Sequence, residues 1–326
     1  MSDQLSGKIM NYSRRDFGKI ALAGLPMAAA LAAPNSKIDG VQIGAISYSF
    51  RDLPVTEIVP DMVKIGLSEV ELMSNHAEAL AGAPQMPGRG RGARGQPPTP
   101  EQQAAQQALR DWRAAATSAT FARVRQQFTD AGIDIRILCY NMGVNITGDE
   151  IEYAFRMAQA LGAKAISSSS TVSVARRVAP VADKYKLPWG AHGHDNIKDP
   201  EQFATPETFA KIMAMGPYMW LNIDIGHFTA AGFDAVGYIR QHHDRITNLH
   251  LKDRKKSPPG EMTAIGQNNW PWGQGDTPIK EVLQLMKKEK YAFPANIEYE
   301  YVSHATADTV TEVARCFEYA KNALRG

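Results

Sequence analysis

From residue 41 to the C-terminus, short apolar runs alternate with stretches whose apolar residues recur every three or four positions. Short runs bounded by turn residues read as strands, and the three-to-four spacing reads as helix. Strands are expected at 41–47, 69–73, 133–140, 163–168, 187–192, 220–224, 246–251 and 295–299. Helical patterns lie between them, for example over 151–161, 233–242 and 307–324. Thr147 followed by Glu150 can form a capping box, and Gly66, Gly132 and Gly162 fall where helices should end. Eight strands alternating with eight helices over about 280 residues predict a closed parallel (β/α)8 TIM barrel. An open doubly wound sheet is the alternative, but the glycine-rich dinucleotide turn that favours one is missing after the first strand.

The first 33 residues read as a targeting segment ahead of a single barrel domain at 34–326. Ser13-Arg14-Arg15-Asp16-Phe17-Gly18-Lys19 precedes an apolar stretch over 20–33, and Ala30-Leu31-Ala32 offers a small-residue cleavage site. The pattern resembles a twin-arginine signal, with Gly18 where an apolar residue is commoner. Export to the periplasm or beyond is expected, and an amphipathic N-terminal helix is the alternative. Beyond residue 40 no apolar run approaches the roughly 18 residues of a membrane span. Removing 1–33 takes four of the 36 basic and two of the 34 acidic residues, leaving the two signs balanced. A polyanion-binding chain usually carries a basic excess, so nucleic acid is not an expected partner.

One segment interrupts the rhythm. Residues 84–100 hold Arg89, Arg91 and Arg94 among glycines and prolines with no acidic residue, a composition that cannot bury a core. A flexible insertion at about 84–116 is expected, its later part through Trp112 and Arg113 helical. Leaving a strand's C-terminal end, it is either a lid over the barrel mouth or a solvated loop. Cys139 lies in a strand-like run and Cys316 in a helical one. A disulfide between them is possible in an exported chain, but two buried, inert thiols are expected.

In a barrel of this kind functional side chains sit at the C-terminal ends of the strands. The fifth predicted strand ends His192-Gly193-His194-Asp195 and the sixth Asp224-Ile225-Gly226-His227. The seventh ends His250-Leu251-Lys252-Asp253, and the eighth carries Glu298-Tyr299-Glu300. Period-two alternation puts His192 with His194, His250 with Lys252, and Glu298 with Glu300 on shared faces. A lone strand-end histidine is commonly a hydrogen-bonded structural residue. Four successive strands offering His, Asp or Glu at one level point instead to a metal. Imidazoles and carboxylates suit one divalent ion, Mn, Co, Zn or Fe. Such an ion can polarise a carbonyl, acidify the neighbouring C–H and stabilise an enediolate.

Four segments carry a family resemblance: GAHGHDN at 190–196, LNIDIGHFTAAG at 221–232, ITNLHLKD at 246–253 and GQGDTPIKEVLQLMKKEKYAFPANIEYE at 273–300. They resemble the sugar phosphate isomerase/epimerase superfamily of xylose-isomerase-like barrels. That family includes ketose 3-epimerases, hydroxypyruvate isomerases, inosose dehydratases and, more distantly, endonuclease IV. The resemblance implies metal ligands at the end of the fifth strand and at Asp224, His250 and Glu298, with His227 touching substrate. Ketose epimerases carry a glutamate at the fifth strand where this chain has His192. His-x-His resembles branches that include dehydratases and lyases of keto-sugars. His192 is therefore carried as the fourth ligand with His194 as its alternative, the other being a candidate acid/base.

Further candidates accompany that set. Glu71 shares a face with Glu69 and can reach the mouth as a base. Lys252 is placed either to stabilise an oxyanion or in a structural ion pair. Arg254, Lys255 and Lys256 either bind an anion or are solvated, and Trp270 and Trp272 can stack on a sugar ring. The expected activity is a metal-dependent isomerase/epimerase or lyase on a keto-sugar or oxidised glycoside, through an enediolate. A phosphodiesterase related to endonuclease IV is one alternative, and a non-catalytic sugar-binding barrel is the other.

Overall fold

In the computed structural model, residues 33–87, 97–258, 268–301 and 307–326 are described. Residues 34–326 fall in one unit. The expected signal segment, apart from Ala33, and the Arg-rich 88–96 of the insertion lie outside the described residues.

Eight parallel strands close on themselves. They are β2 (Val41–Ile46), β3 (Glu69–Met73), β4 (Asp134–Cys139), β5 (Ala165–Ser168), β6 (Trp189–His192), β7 (Met219–Asp224), β8 (Ile246–Leu251) and β9 (Ala295–Ile297), with β9 pairing back to β2. A two-residue strand, β1 (Lys37–Ile38), lies antiparallel against β2 at the barrel's N-terminal end. All eight expected barrel strands are present. The fifth starts two residues later than expected, because Pro188 lacks the N–H that would extend the ladder backward, and the eighth ends at Ile297 rather than 299. Beyond Ile297 the pairing continues irregularly: Glu298 N–H reaches Leu251 O at 3.0 Å, and Tyr299 N–H reaches Ser49 Oγ at 3.0 Å.

The helices follow the strands in turn: α1 (Ile58–Ile65), α2 (Ser74–Leu80), α3 (Pro100–Ala115), α4 (Ser118–Asp130), α5 (Gly148–Leu161), α6 (Val172–Tyr185), α7 (Pro206–Met213), α8 (Ile225–Ala230), α9 (Ala235–His242), α10 (Ile279–Glu289) and α11 (Thr309–Arg325). The Thr147–Glu150 capping box forms, and Gly66 and Gly162 end α1 and α5 in the left-handed conformation. Outward strand residues such as Val70, Leu72, Ile166, Leu221, Ile223 and Leu249 meet the helices in a buried apolar shell. Among the described residues no helix is long and apolar enough to cross a membrane.

The later part of the insertion is helical, as expected. Helix α3 opens with a capping box between Thr99 and Gln102. Near its other end Arg113 grips Glu78 through two bonds of 2.7 and 2.9 Å, while Trp112 meets Phe121 edge-on. Helix α3 thus has a partner for its charge and for its apolar face. It contributes nothing to the lining of the cavity described below.

The barrel interior is unusually polar. Side chains that alternate inward include Glu69 and Glu71 on β3, Ser167 on β5, Asn222 on β7, Asn248 on β8 and Asn296 on β9, all buried. They bond to one another across the barrel: Asn296 Nδ2 donates to Glu69 Oε2 at 2.7 Å and Asn248 Nδ2 to Glu71 Oε2 at 2.7 Å. This layer is the floor on which the site at the mouth rests.

Candidate metal centre

His192, Asp224, His250 and Glu298 come together at the C-terminal mouth, one ligand atom from each lying within 4.8 Å of the others. All four are buried. They stand on the ends of β6, β7, β8 and just past β9, so consecutive neighbours in the sheet deliver them to one level. His192 and His250 rings are 4.5 Å apart between centroids. Among the described residues, His192 Nδ1 and Asp224 Oδ2 have no hydrogen-bond partner although both are buried. Lys252 Nζ stands 3.2 Å from that aspartate oxygen, a coulombic approach outside hydrogen-bond geometry. A buried acceptor without a donor is costly, on the order of 1–3 kcal/mol, unless something else fills the role. Two imidazoles, two carboxylates and two orphaned donor atoms fit a divalent ion.

Local structure explains the placement. Asp224 caps α8, its Oδ1 accepting the N–H of His227 at 2.8 Å, which leaves Oδ2 facing the cluster. Gly226 lets α8 press against the end of β8: a Cβ there would lie 2.6 Å from the Lys252 carbonyl oxygen. That close approach brings His227 Nε2 to 3.3 Å from Lys252 Nζ.

The electrostatics are tightly coupled. Burial, reinforced by His250 and His194, pushes the His192 pKa well below its ordinary value, so the ring is neutral. Burial likewise holds His194 down to about 4, with His227 and Lys252 adding to it. Burial opposes charge on His250, yet Glu71 and Glu298 on either side raise it well above the usual histidine range. Burial also opposes charge on Glu298, but Lys252 and His250 outweigh it and hold the carboxylate well below the usual range. Lys252 has the same balance: its ammonium is buried but lies 3.0 Å from Glu298 and 2.6 Å from Glu300, which with Asp224 raise its pKa.

A cavity of about 870 Å³ opens above the cluster, within the range of small-molecule sites. His194, His227, Lys252 and Glu300 line it with His192, His250 and Glu298. Neutral polar groups form the far wall, among them Tyr48, Asn141, Ser169, Asn196 and Gln202. These wall residues carried no role in the sequence reading. Tyr48 and Asn141 do sit one residue past predicted strands, which is the signal that could have found them.

Several expectations change. Glu71 does not reach the mouth. It is fully buried one layer below, with Asn248, His250 and Ser167 on its two oxygens. Arg254 is not part of a solvated or anion-binding trio. It is buried, donating to Asp195 Oδ2 at 2.7 Å and to His227 Nδ1. Lys255 instead pairs with Asp276 at 3.4 Å and lies over Trp270, while the Lys256 N–H also goes to Asp276. Trp270 and Trp272 do not line the cavity: the first is 40% exposed, and the second packs edge-on against Tyr319. Cys139 and Cys316 are free and buried, as expected, and Cys139 lines the cavity beside Met73.

Over residues 92–319 the chain matches the xylose isomerase-like TIM barrel family, and it belongs to that family. No curated protein matches it. Among solved structures it is similar to the probable 3-DHS dehydratase AsbF of Bacillus anthracis, at 14% identity over 86% of this chain and 99% of that one, TM-score 0.59. It is also similar to the IolI protein with a bound zinc atom, at 13% identity over 87% and 98% of the two chains, TM-score 0.61. A sugar phosphate isomerase/epimerase from Parabacteroides distasonis aligns at 13% identity over 91% and 98%, TM-score 0.55. At such identities the likeness is one of fold, and function has to be argued from the site.

Proposed function

We propose that this chain is a metal-dependent enzyme that enolises a keto-sugar or oxidised glycoside, then either isomerises or epimerises it or expels a group β to the carbonyl. The observation that carries the reading is the buried His192–Asp224–His250–Glu298 cluster at the floor of a polar cavity. Those four residues would hold the ion, which supplies Lewis acidity toward a carbonyl and its neighbouring hydroxyl. His194 is the base. Its ring faces the cavity and is neutral at pH 7, so a ring nitrogen accepts the proton from the carbon beside the carbonyl. The C–H electrons pass to the carbonyl oxygen, and the Lys252 ammonium stands beside Glu298 and Glu300 to stabilise the charge that develops. The proton now on His194 is returned to the substrate or to a leaving group, and His227, fixed by Asp195 and Arg254, stands beside it to contact the substrate.

An imidazole at the end of β6 supports elimination over epimerisation, because epimerisation is served by a second carboxylate facing Glu298. The 3-DHS dehydratase with this fold agrees with that preference without deciding it. We further propose that the chain is exported, on the strength of the arginine pair and apolar stretch within residues 1–33.

The test is a time course of metal-loaded protein with keto-sugars and 3-keto-glycosides in D2O. NMR follows deuterium uptake beside the carbonyl and release of any leaving group. Exchange that needs the metal and is lost in Glu298→Gln supports enolisation, and leaving-group release identifies the lyase. A metal-loaded protein that exchanges no substrate in the panel contradicts it.

A further inference from the structure

Glu71 lies across the barrel from His250, 179 residues away in sequence, with its Oε2 2.6 Å from His250 Nε2. Both carboxylates only accept, so each ring nitrogen donates, Nε2 to Glu71 and Nδ1 to Glu298. An ion at the cluster would take the place of the proton on the nitrogen that faces it, while Glu71 keeps the proton on Nε2. His250 Nδ1 lies 3.0 Å from Glu298 Oε2, on the side where the ligand atoms converge. We infer that Glu71 is a positioning residue for the metal centre: it fixes the tautomer and tilt of His250 so that Nδ1 is the nitrogen presented to the ion. The inference rests on the four-residue site proposed above.

Glu71 is itself held from two other strands. Asn248 Nδ2 on β8 donates to Oε2 at 2.7 Å, and Ser167 Oγ on β5 donates to Oε1. Asn248 also reaches Asn296 on β9 at 3.2 Å. The side chain is fully buried, so it has no route to the mouth and no substrate to touch. Asn222 fits this arrangement once its amide is turned over. Its Nδ2 lies 3.1 Å from His250 Nε2, while its Oδ1 is buried without a partner among the described residues. Exchanging the two amide atoms, which are nearly equal in shape, gives the Nε2–H a second acceptor and removes the orphan. A carboxylate behind a ligating histidine raises its basicity as well as orienting it, and losing such a partner weakens metal binding roughly 10- to 100-fold.

Glu71→Gln tests the charge with little change of shape. The amide oxygen can still accept from His250 and Asn248, and the amide nitrogen can donate to Ser167 Oγ. Metal-free full-length wild type and variant are titrated with Zn2+ and with Mn2+ against a competing chelator, and thermal melting of the metal-free forms is recorded. The expected result is a dissociation constant raised about 10- to 100-fold, with the metal-free variant still melting cooperatively but at a lower temperature because the buried Glu71–His250 pair is lost. In wild type, 15N NMR of histidine-labelled protein shows Nε2 protonated and Nδ1 shifted by the metal. Equal affinities in wild type and variant, or 15N shifts that put the ion on Nε2, overturn the inference and leave the metal site standing. A wild type that takes up neither ion overturns both.

Discussion

Replacing Asp224 by Asn separates its two roles, ligand and helix cap. Oδ1 accepts the His227 N–H at 2.8 Å, and asparagine caps a helix as well as aspartate does, so α8 and His227 stay in place. Oδ2 belongs to the cluster and loses its share of negative charge. Asp224→Ala removes both functions, and the lost cap alone costs about 1 kcal/mol. Lys252 keeps Glu298 and Glu300 in either variant, so no buried ammonium is stranded. Without metal, the Asn variant should therefore lie within about 1 kcal/mol of wild type, and the Ala variant below it. With free ion at about 1,000 times the dissociation constant, wild type gains about 4 kcal/mol. If the Asn variant binds about 100-fold more weakly, its gain at the same concentration falls to about 1.4 kcal/mol. Urea unfolding of the three proteins, with the ion and with chelator, reads each number. An Asn variant that keeps the full ion-dependent gain refutes the ligand assignment. One that loses several kcal/mol without metal refutes the claim that the cap survives.

Three further outcomes are expected. His194→Gln should lower the rate by about 10²- to 10⁴-fold while changing metal affinity only a few-fold, because His194 lies outside the ligand set; turnover and chelator competition measured together check both halves. His76, whose Nδ1 meets Ser47 Oγ at 3.0 Å, is pushed by burial to about 4. The unfolded chain therefore binds more protons between about pH 4 and 6.5, so stability falls as pH drops through that window, and His76→Gln should flatten the loss by about 2 kcal/mol in unfolding measured at pH 4.5 and 7. The cavity lining carries Asp195, Glu298 and Glu300 against one ammonium already shared among carboxylates, so a phosphate ester should bind more weakly than the corresponding uncharged keto-sugar. Calorimetry that finds the ester tighter contradicts this.

The four-residue cluster was legible because a barrel of parallel strands turns strand ends into neighbours. Once His192, Asp224, His250 and Glu298 were placed at the ends of consecutive strands, closure alone brought them together. Depth was not legible. Glu71 and Glu298 both sit on inward faces, but the stagger between strands decides which layer each occupies, and local sequence does not encode it. Arg254 misled for a related reason. Next to Lys255 and Lys256 it reads as a solvated charge, and only the fold brings Asp195 within 2.7 Å to neutralise it. The insertion shows the opposite case. Its later part reads as a helix in the sequence and is one, but the salt bridge from Arg113 to Glu78 that anchors this helix spans 35 residues and is not encoded locally.

The most direct test of the account is the metal content and ligand sphere of the purified chain. Elemental analysis and X-ray absorption should find one divalent ion per chain, bound by two imidazoles and carboxylate oxygen with no sulfur. In that protein Asp224→Asn and Glu298→Gln should each lose the ion. Three ions per chain would turn the account toward phosphodiester hydrolysis. No ion, or a sphere containing the Cys139 thiolate that also lines the cavity, would contradict it.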